Sequence, residues 1–226
     1  MDRRKFLITT GSGTLAATAG CLGYNIETPE EREEQKNRVD QLETEIKELE
    51  EELNSAQNRN SELEQERNSA QDRNSELESD ITEAKYKQIL WLYSYGITHY
   101  NNGIDKYNSG YDLFVNENYV GARAEFNVAA GYFDSASVNF NAATNRADDM
   151  SESTVERYCS DAVSKSDYMS QAVGDYQTGA EYYRRGDSST GSNYINDGDG
   201  HYSQAQNTEL RDLGELESEL DVTIDT

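Results

Sequence analysis

Few of the residues that build chemical sites are present. The 226-residue chain has two cysteines (Cys21 and Cys159), two histidines (His99 and His201) and one proline, Pro29. Two cysteines exclude a disulfide framework, and so few thiols and imidazoles all but exclude a zinc cluster. Basic charge is scarce as well: 20 Lys and Arg stand against 44 Asp and Glu, for a formal charge of −24. A general nucleic-acid binder needs a basic face to meet phosphates, so that class is excluded. Leu, Ile, Val and Phe together number only 38, and no run of 18 apolar residues exists to form a permanent membrane-spanning helix. A chain this charged and this poor in aliphatic side chains is normally disordered. The tyrosines argue against disorder, because 15 of the 16 fall between Tyr86 and Tyr202.

The N-terminus carries an address. Arg3-Arg4, a spacer and then Phe6-Leu7 form the pattern of a twin-arginine export signal. The stretch from Ile8 to Ala19 is rich in Thr, Gly, Ala and Ser, too short and too weakly apolar to remain as a spanning helix. It ends in Thr18-Ala19-Gly20-Cys21, small residues before a cysteine, which resembles a lipobox. Cleavage there would make residues 1–20 the signal peptide and 21–29 a lipidated linker. The lipid on Cys21 would be the membrane attachment, holding the protein on the outer face of the cytoplasmic membrane. Cys159 would remain as the only thiol, and the net charge would become about −26.

The acidic excess comes with seven lysines against 13 arginines. Signal, lipobox and composition together resemble the twin-arginine-exported lipoproteins of halophilic archaea. That resemblance implies an acidic surface that stays hydrated in concentrated salt. An acidic bacterial envelope lipoprotein is the alternative. The resemblance implies an address and an environment, not an activity.

Residues 30–85 have the pattern of a coiled coil. Thr28, Pro29 and Glu31 form a helix start with a capping box, and neither Pro nor Gly recurs before Gly96. A 3-4 spacing then runs unbroken from Val39 to Ala84. Position a holds Val39, Ile46, Leu53, Asn60, Arg67, Asn74 and Ile81; position d holds Leu42, Leu49, Ala56, Leu63, Ala70, Leu77 and Ala84. Forty-six residues of helix span roughly 70 Å. Residues 54–67 nearly recur at 68–80, a repeat of two whole heptads that lengthens the helix without shifting its seam. In a parallel homodimer the flanking pairs Arg38–Glu43, Arg59–Glu64, Arg73–Glu78 and Asp80–Lys85 attract, and Glu45–Glu50 repels. Asn60, Arg67 and Asn74 inside the seam favour two strands in register, so a parallel homodimer through residues 39–84 is expected. A single exposed helix laced by its own i,i+4 pairs is the alternative.

Residues 86–220 turn to Tyr, Asn, Gly and Ala while the helical spacing persists. One stripe runs from Tyr86 to Phe114, a second from Tyr119 to Met150, a third from Val155 to Tyr183 and a weak fourth from Ile195 to Leu220. Turns are expected at 116–118, 151–153 and 186–187, with a capping box of Ser153 and Glu156. The fold class expected is all-α: a long N-terminal coiled-coil helix followed by an up-down-up-down four-helix bundle, its helices about 30 residues each, with residues 221–226 as a disordered tail. An offset of 69 aligns Tyr107, Gly110, Phe114 and Asn118 with Tyr176, Gly179, Tyr183 and Asp187, so the bundle reads as two related hairpins. Gly110, Tyr119, Ala122, Phe126 and Ala129 resemble the spacing of a tetratricopeptide unit over about 25 residues, although the period of 69 is not that family's.

Candidate sites are sparse. No HExxH, paired Glu-xx-His or Cys–His set exists, so no catalytic residue, metal or cofactor is expected. Residues 196–201 look like part of a calcium loop but lack its glycine and closing glutamate, and read as weak helix. Gly96, Gly103 and Gly110 recur every seven residues, for close approach of a neighbouring helix or for a groove lined by Tyr100, Tyr107 and Tyr111. Tyr95, Tyr132, Tyr168 and Tyr182 lie off the core stripes and are the candidates for a binding face toward an envelope protein or glycan. The expected function is a non-enzymatic spacer or scaffold that presents a helical interaction domain. The alternative is an accessory ligand- or solute-binding subunit of a surface complex.

Overall fold

The computed structural model describes residues 28–224; Arg3, Arg4, Phe6, Leu7 and Cys21 lie outside the described residues. The protein is all-α, with helices α1 (Pro29–Val115), α2 (Tyr119–Asp149), α3 (Ser153–Arg184), α4 (Ser188–Asn207) and α5 (Leu213–Leu220). It divides into two units, Met1–Gln71 and Asp72–Thr226.

In the first unit the described chain is α1 alone. Its start is the expected reciprocal box: the Glu31 carboxylate accepts from Thr28 N–H at 2.9 Å, and Thr28 Oγ1 accepts from Glu31 N–H at 3.4 Å. Every residue of α1 up to Lys85 is exposed, as the polar sequence requires.

In the second unit burial begins at Tyr86, and α1 packs against α2, α3 and α4 in an up-down arrangement. The α1–α2 contact follows from composition. A Cβ on Gly103 would lie 2.7 Å from Phe133, and one on Gly110 would lie 2.7 Å from Phe126; Gly96 faces Phe140 in the same way. Each step of seven residues up α1 is matched by a step of seven down α2, so the two helices are antiparallel and in register. Three rings fill three notches, and the glycine triplet is explained by close approach. Phe126, Phe133 and Phe140 are fully buried, each stabilising by about 1.5–3 kcal/mol.

The second hairpin repeats this construction at the offset of 69. Gly179 of α3 receives Ile195 of α4, as Gly110 receives Phe126. Glu117 and Gly186 both adopt positive φ, 62° and 85°. Their N–H groups donate to the carbonyls of Phe114 and Tyr183, each at 3.0 Å. The next residues cap the following helices alike: Asn118 accepts from Gly121 N–H and Asp187 from Thr190 N–H, both at 3.1 Å. Glycine is the residue without strain at that left-handed turn position, and the first copy holds it with Glu117 instead.

Between the hairpins, α2 and α3 are tied by Ser137 to Asp167 and by Ser170 to Asp134, each at 2.6 Å. All three expected turns are present. Two local expectations are corrected. The cap of α3 is Glu152 rather than Ser153, and it makes no side-chain cap bond, because its carboxylate accepts the Tyr86 hydroxyl at 2.6 Å. The fourth helix is not about 30 residues long. It ends at Asn207 after 20 residues, with Thr208 extended.

That break has a tertiary cause. Lys165 of α3 donates to the carbonyls of Ala205 and Thr208 at 2.7 and 2.8 Å, and the Tyr93 hydroxyl of α1 donates to the Arg211 carbonyl at 2.8 Å. The ammonium satisfies the C-terminal carbonyls of α4 where a cation is favoured. The chain restarts as α5 through a capping box of Asp212 and Glu215, which turns Leu216 and Leu220 into the core. Beyond it, Ile224 N–H donates to the Glu217 carboxylate at 2.9 Å.

Candidate functional site

The largest unsatisfied apolar feature lies on α1. Val39, Leu42, Ile46, Leu49, Leu53, Leu63, Leu77 and Ile81 are each between 50 and 58% exposed. All occupy a or d positions, and helical geometry sets such positions along one stripe. Asn60, Arg67 and Asn74 interrupt this stripe and are themselves exposed.

The four off-stripe tyrosines have separate surroundings. Tyr95 is exposed, with its ring 6.2 Å from that of Trp91. Tyr132 is half-buried, 6.2 Å from the ring of His99. Tyr168 packs against the core, and Tyr182 stacks on Tyr194 at 5.5 Å. Along Tyr100, Tyr107 and Tyr111 the first two rings are buried among protein side chains, so no groove opens there, while Tyr111 stays exposed. Tyr107 lies 5.3 Å from Tyr202 and 5.6 Å from Tyr176, and Tyr100 packs edge-on to Phe133 at 5.4 Å. Burial pushes the Tyr107 hydroxyl up to about 12, so it stays neutral at ordinary pH.

The other polar groups form structural contacts. His201 sits 3.6 Å from Asp175, whose carboxyl is raised by burial; His201 opposes that rise and Asp197 adds to it. Tyr176 donates to Asp199, its neighbour across the α3–α4 contact. Residues 196–201, the calcium-loop lookalike, are helical within α4. Among the described residues, no group of three His, Cys, Asp or Glu side chains is placed to hold a metal ion. Cys159 is fully buried and its thiol is pushed up to about 12 by burial, which leaves it inert as a nucleophile. An open depression of about 670 Å³ lies between residues 78–87 of α1 and residues 220–223; it is lined by Glu78, Glu83, Tyr86, Lys87 and Asp221 among others, and Lys87 already pairs with Glu83 at 2.6 Å.

One cluster was not legible in the sequence. Glu181 of α3 takes Arg184 and Arg185 at 2.7 Å and reaches Arg123 of α2 at 2.6 Å, with its side chain only 15% exposed. Hydrogen bonds from Arg184 and Arg185 and the charge of Arg123 hold its carboxyl down to about 2. It fastens the two hairpins together beside the 186 turn.

No family model, curated protein or solved structure matches this chain. Among the described residues no helix is long and apolar enough to cross a membrane.

Proposed function

We propose that this protein is an exported, lipid-anchored scaffold of the cell envelope. The lipid on Cys21 attaches it, residues 39–84 pair in parallel with a second copy and act as a spacer, and the tyrosine-rich bundle is presented to an envelope protein or glycan. The observation that carries the reading is the a/d stripe of α1. Eight large apolar side chains stand half exposed in one heptad register, with attractive flanking charges for a parallel partner. Self-pairing is the arrangement in which that stripe and those charges are satisfied together. The twin-arginine pattern and Thr18-Ala19-Gly20-Cys21 support the address, and the acidic excess supports a saline environment. The filled glycine notches favour a scaffold over a ligand-binding subunit, because the bundle keeps its rings for its own core.

The test is sedimentation of the full chain carrying Cys21→Ser in molar KCl, over a hundredfold range of concentration. Two-chain mass at the upper end, lost in a Leu63→Lys/Leu77→Lys variant, is expected. One-chain mass throughout would remove the spacer reading.

A further inference from the structure

The heptad count does not stop where the coiled coil was expected to end. Continued past Ala84, it places Gln88, Trp91, Tyr95, Thr98, Asn102 and Asp105 at successive a and d positions, and all six are exposed. The bundle uses the other side of the same helix. Of the eight buried positions of α1, seven (Ile89, Tyr93, Gly96, Tyr100, Gly103, Tyr107 and Gly110) fall at b and f, and Leu90 falls at c. In a helix of 3.6 residues per turn, the b/f centre lies about 150° from the a/d centre. From residue 77 to residue 98, α1 therefore shows one open face in one phase. That face carries Leu77, Ile81, Trp91 at 40% and Tyr95 at 54% exposure.

Two large aromatic rings left exposed on the outer face of a bundle that buries or half-buries its others, Tyr111 apart, ask for a partner. The charges beside them identify one. In parallel register, Arg73 meets Glu78 and Asp80 meets Lys85 of a second copy, and the next flanking pairs, Lys87–Leu92 and Ser94–His99, contain no like charges. A two-fold seam sets each a or d residue against its own copy, so the surface is complementary to itself. We infer that the dimer seam runs on past Ala84 into the bundle, with Trp91 and Tyr95 packed against Trp91 and Tyr95 of a second copy of this chain. The inference rests on the parallel self-pairing proposed above and extends it from a rod contact to a contact between bundles. It gives Tyr95 an occupant other than an envelope ligand.

Trp91 is the single tryptophan of the chain, so it reports its own burial. The full chain with Cys21→Ser, in molar KCl, is followed by sedimentation and by Trp91 emission and iodide quenching over the same concentrations. Emission that moves to shorter wavelength and quenching that falls, both with the midpoint of dimerisation, are expected. A Trp91→Ala/Tyr95→Ala variant, judged by sedimentation alone, is expected to weaken dimerisation at least about tenfold, as loss of central aromatic contacts does. Val138→Ala, an exposed site on α2, serves as the control and is expected to leave it unchanged. A dimer whose Trp91 stays fully quenchable, with affinity unmoved by the double variant, overturns the extended seam while leaving the rod pairing intact. A chain that is monomeric throughout overturns both.

Discussion

Adding one methyl group to a glycine is predicted to have opposite effects at two places in this bundle. Gly103 and Gly131 are both helical, so replacing either by alanine gains about 1 kcal/mol of helix propensity. Their surroundings differ. A Cβ at Gly103 would stand 2.7 Å from Phe133 Cε1 and 2.9 Å from Cδ1 and Cζ, whereas one at Gly131 meets nothing within 4 Å. Phe133 is fully buried and its ring also packs edge-on against Tyr100, so it cannot simply swing away. Overpacking of this kind costs about 1–3 kcal/mol. Gly131→Ala should therefore stabilise by about 1 kcal/mol, and Gly103→Ala should be neutral or destabilise by about 2 kcal/mol. The propensity gain cancels in the difference between the two, which isolates the clash at about 1–3 kcal/mol. Urea unfolding monitored by tyrosine emission, which follows the bundle, gives both midpoints. Gly103→Ala/Phe133→Leu should recover most of the loss. Equal stabilisation by both single variants would refute the notch-and-ring account of the α1–α2 contact.

Three further outcomes are expected. Replacing Arg3 and Arg4 by Lys should trap precursor inside the cell and Cys21→Ala should release soluble protein or leave it uncut, which fractionation reads; normal membrane retention in both would remove the export reading. Helical circular dichroism should rise steeply between millimolar and molar KCl, because a formal charge of −24 repels itself until the Debye length falls to about 3 Å; full helicity in low salt would defeat the halophilic reading. Because the Glu181 carboxyl is held down to about 2 when folded, its contribution should be present above its ordinary range near 4.5 and lost as pH falls from there toward 2; Glu181→Gln should flatten the acid limb of stability against pH, and an unchanged limb would deny the three-arginine hub its role.

Much of this architecture is written locally. The turns at 116–118 and 186–187 are marked by Asn, Gly and Asp, residues that cap helices or accept a left-handed backbone, and the glycine triplet announces close approach by its period. The break after Asn207 is different. Residues 205–212 contain neither Gly nor Pro, and the helix stops because Lys165 and Tyr93, far away in sequence, take carbonyls there. The restart was readable, since Asp212-x-x-Glu215 ahead of Leu216 and Leu220 is a capping box before an apolar spacing. The Glu181 hub needs Arg123 from another helix and leaves no local trace. Tyr95 stands off the core stripes in the sequence, but its place with Trp91 in the a/d register was obscured for another reason. A stronger stripe begins at Tyr86 on the opposite side of the same helix, so the a/d count looks finished at Ala84 although its phase continues.

Parallel pairing is the central claim, and distances between spin labels at f positions test it without touching the seam. Thr44 and Asn58 are both f residues, exposed on α1, and each is changed to Cys in a separate full-length chain that also carries Cys21→Ser and Cys159→Ala. A parallel, in-register pair sets identical residues at the same height, so both positions should give the same short distance, on the order of 20–30 Å across two packed helices. An antiparallel pair centred on the stripe would keep Asn58 short and move Thr44 to about 50 Å, at 1.5 Å per residue. That split, or the absence of any dipolar coupling at either position, would contradict the account.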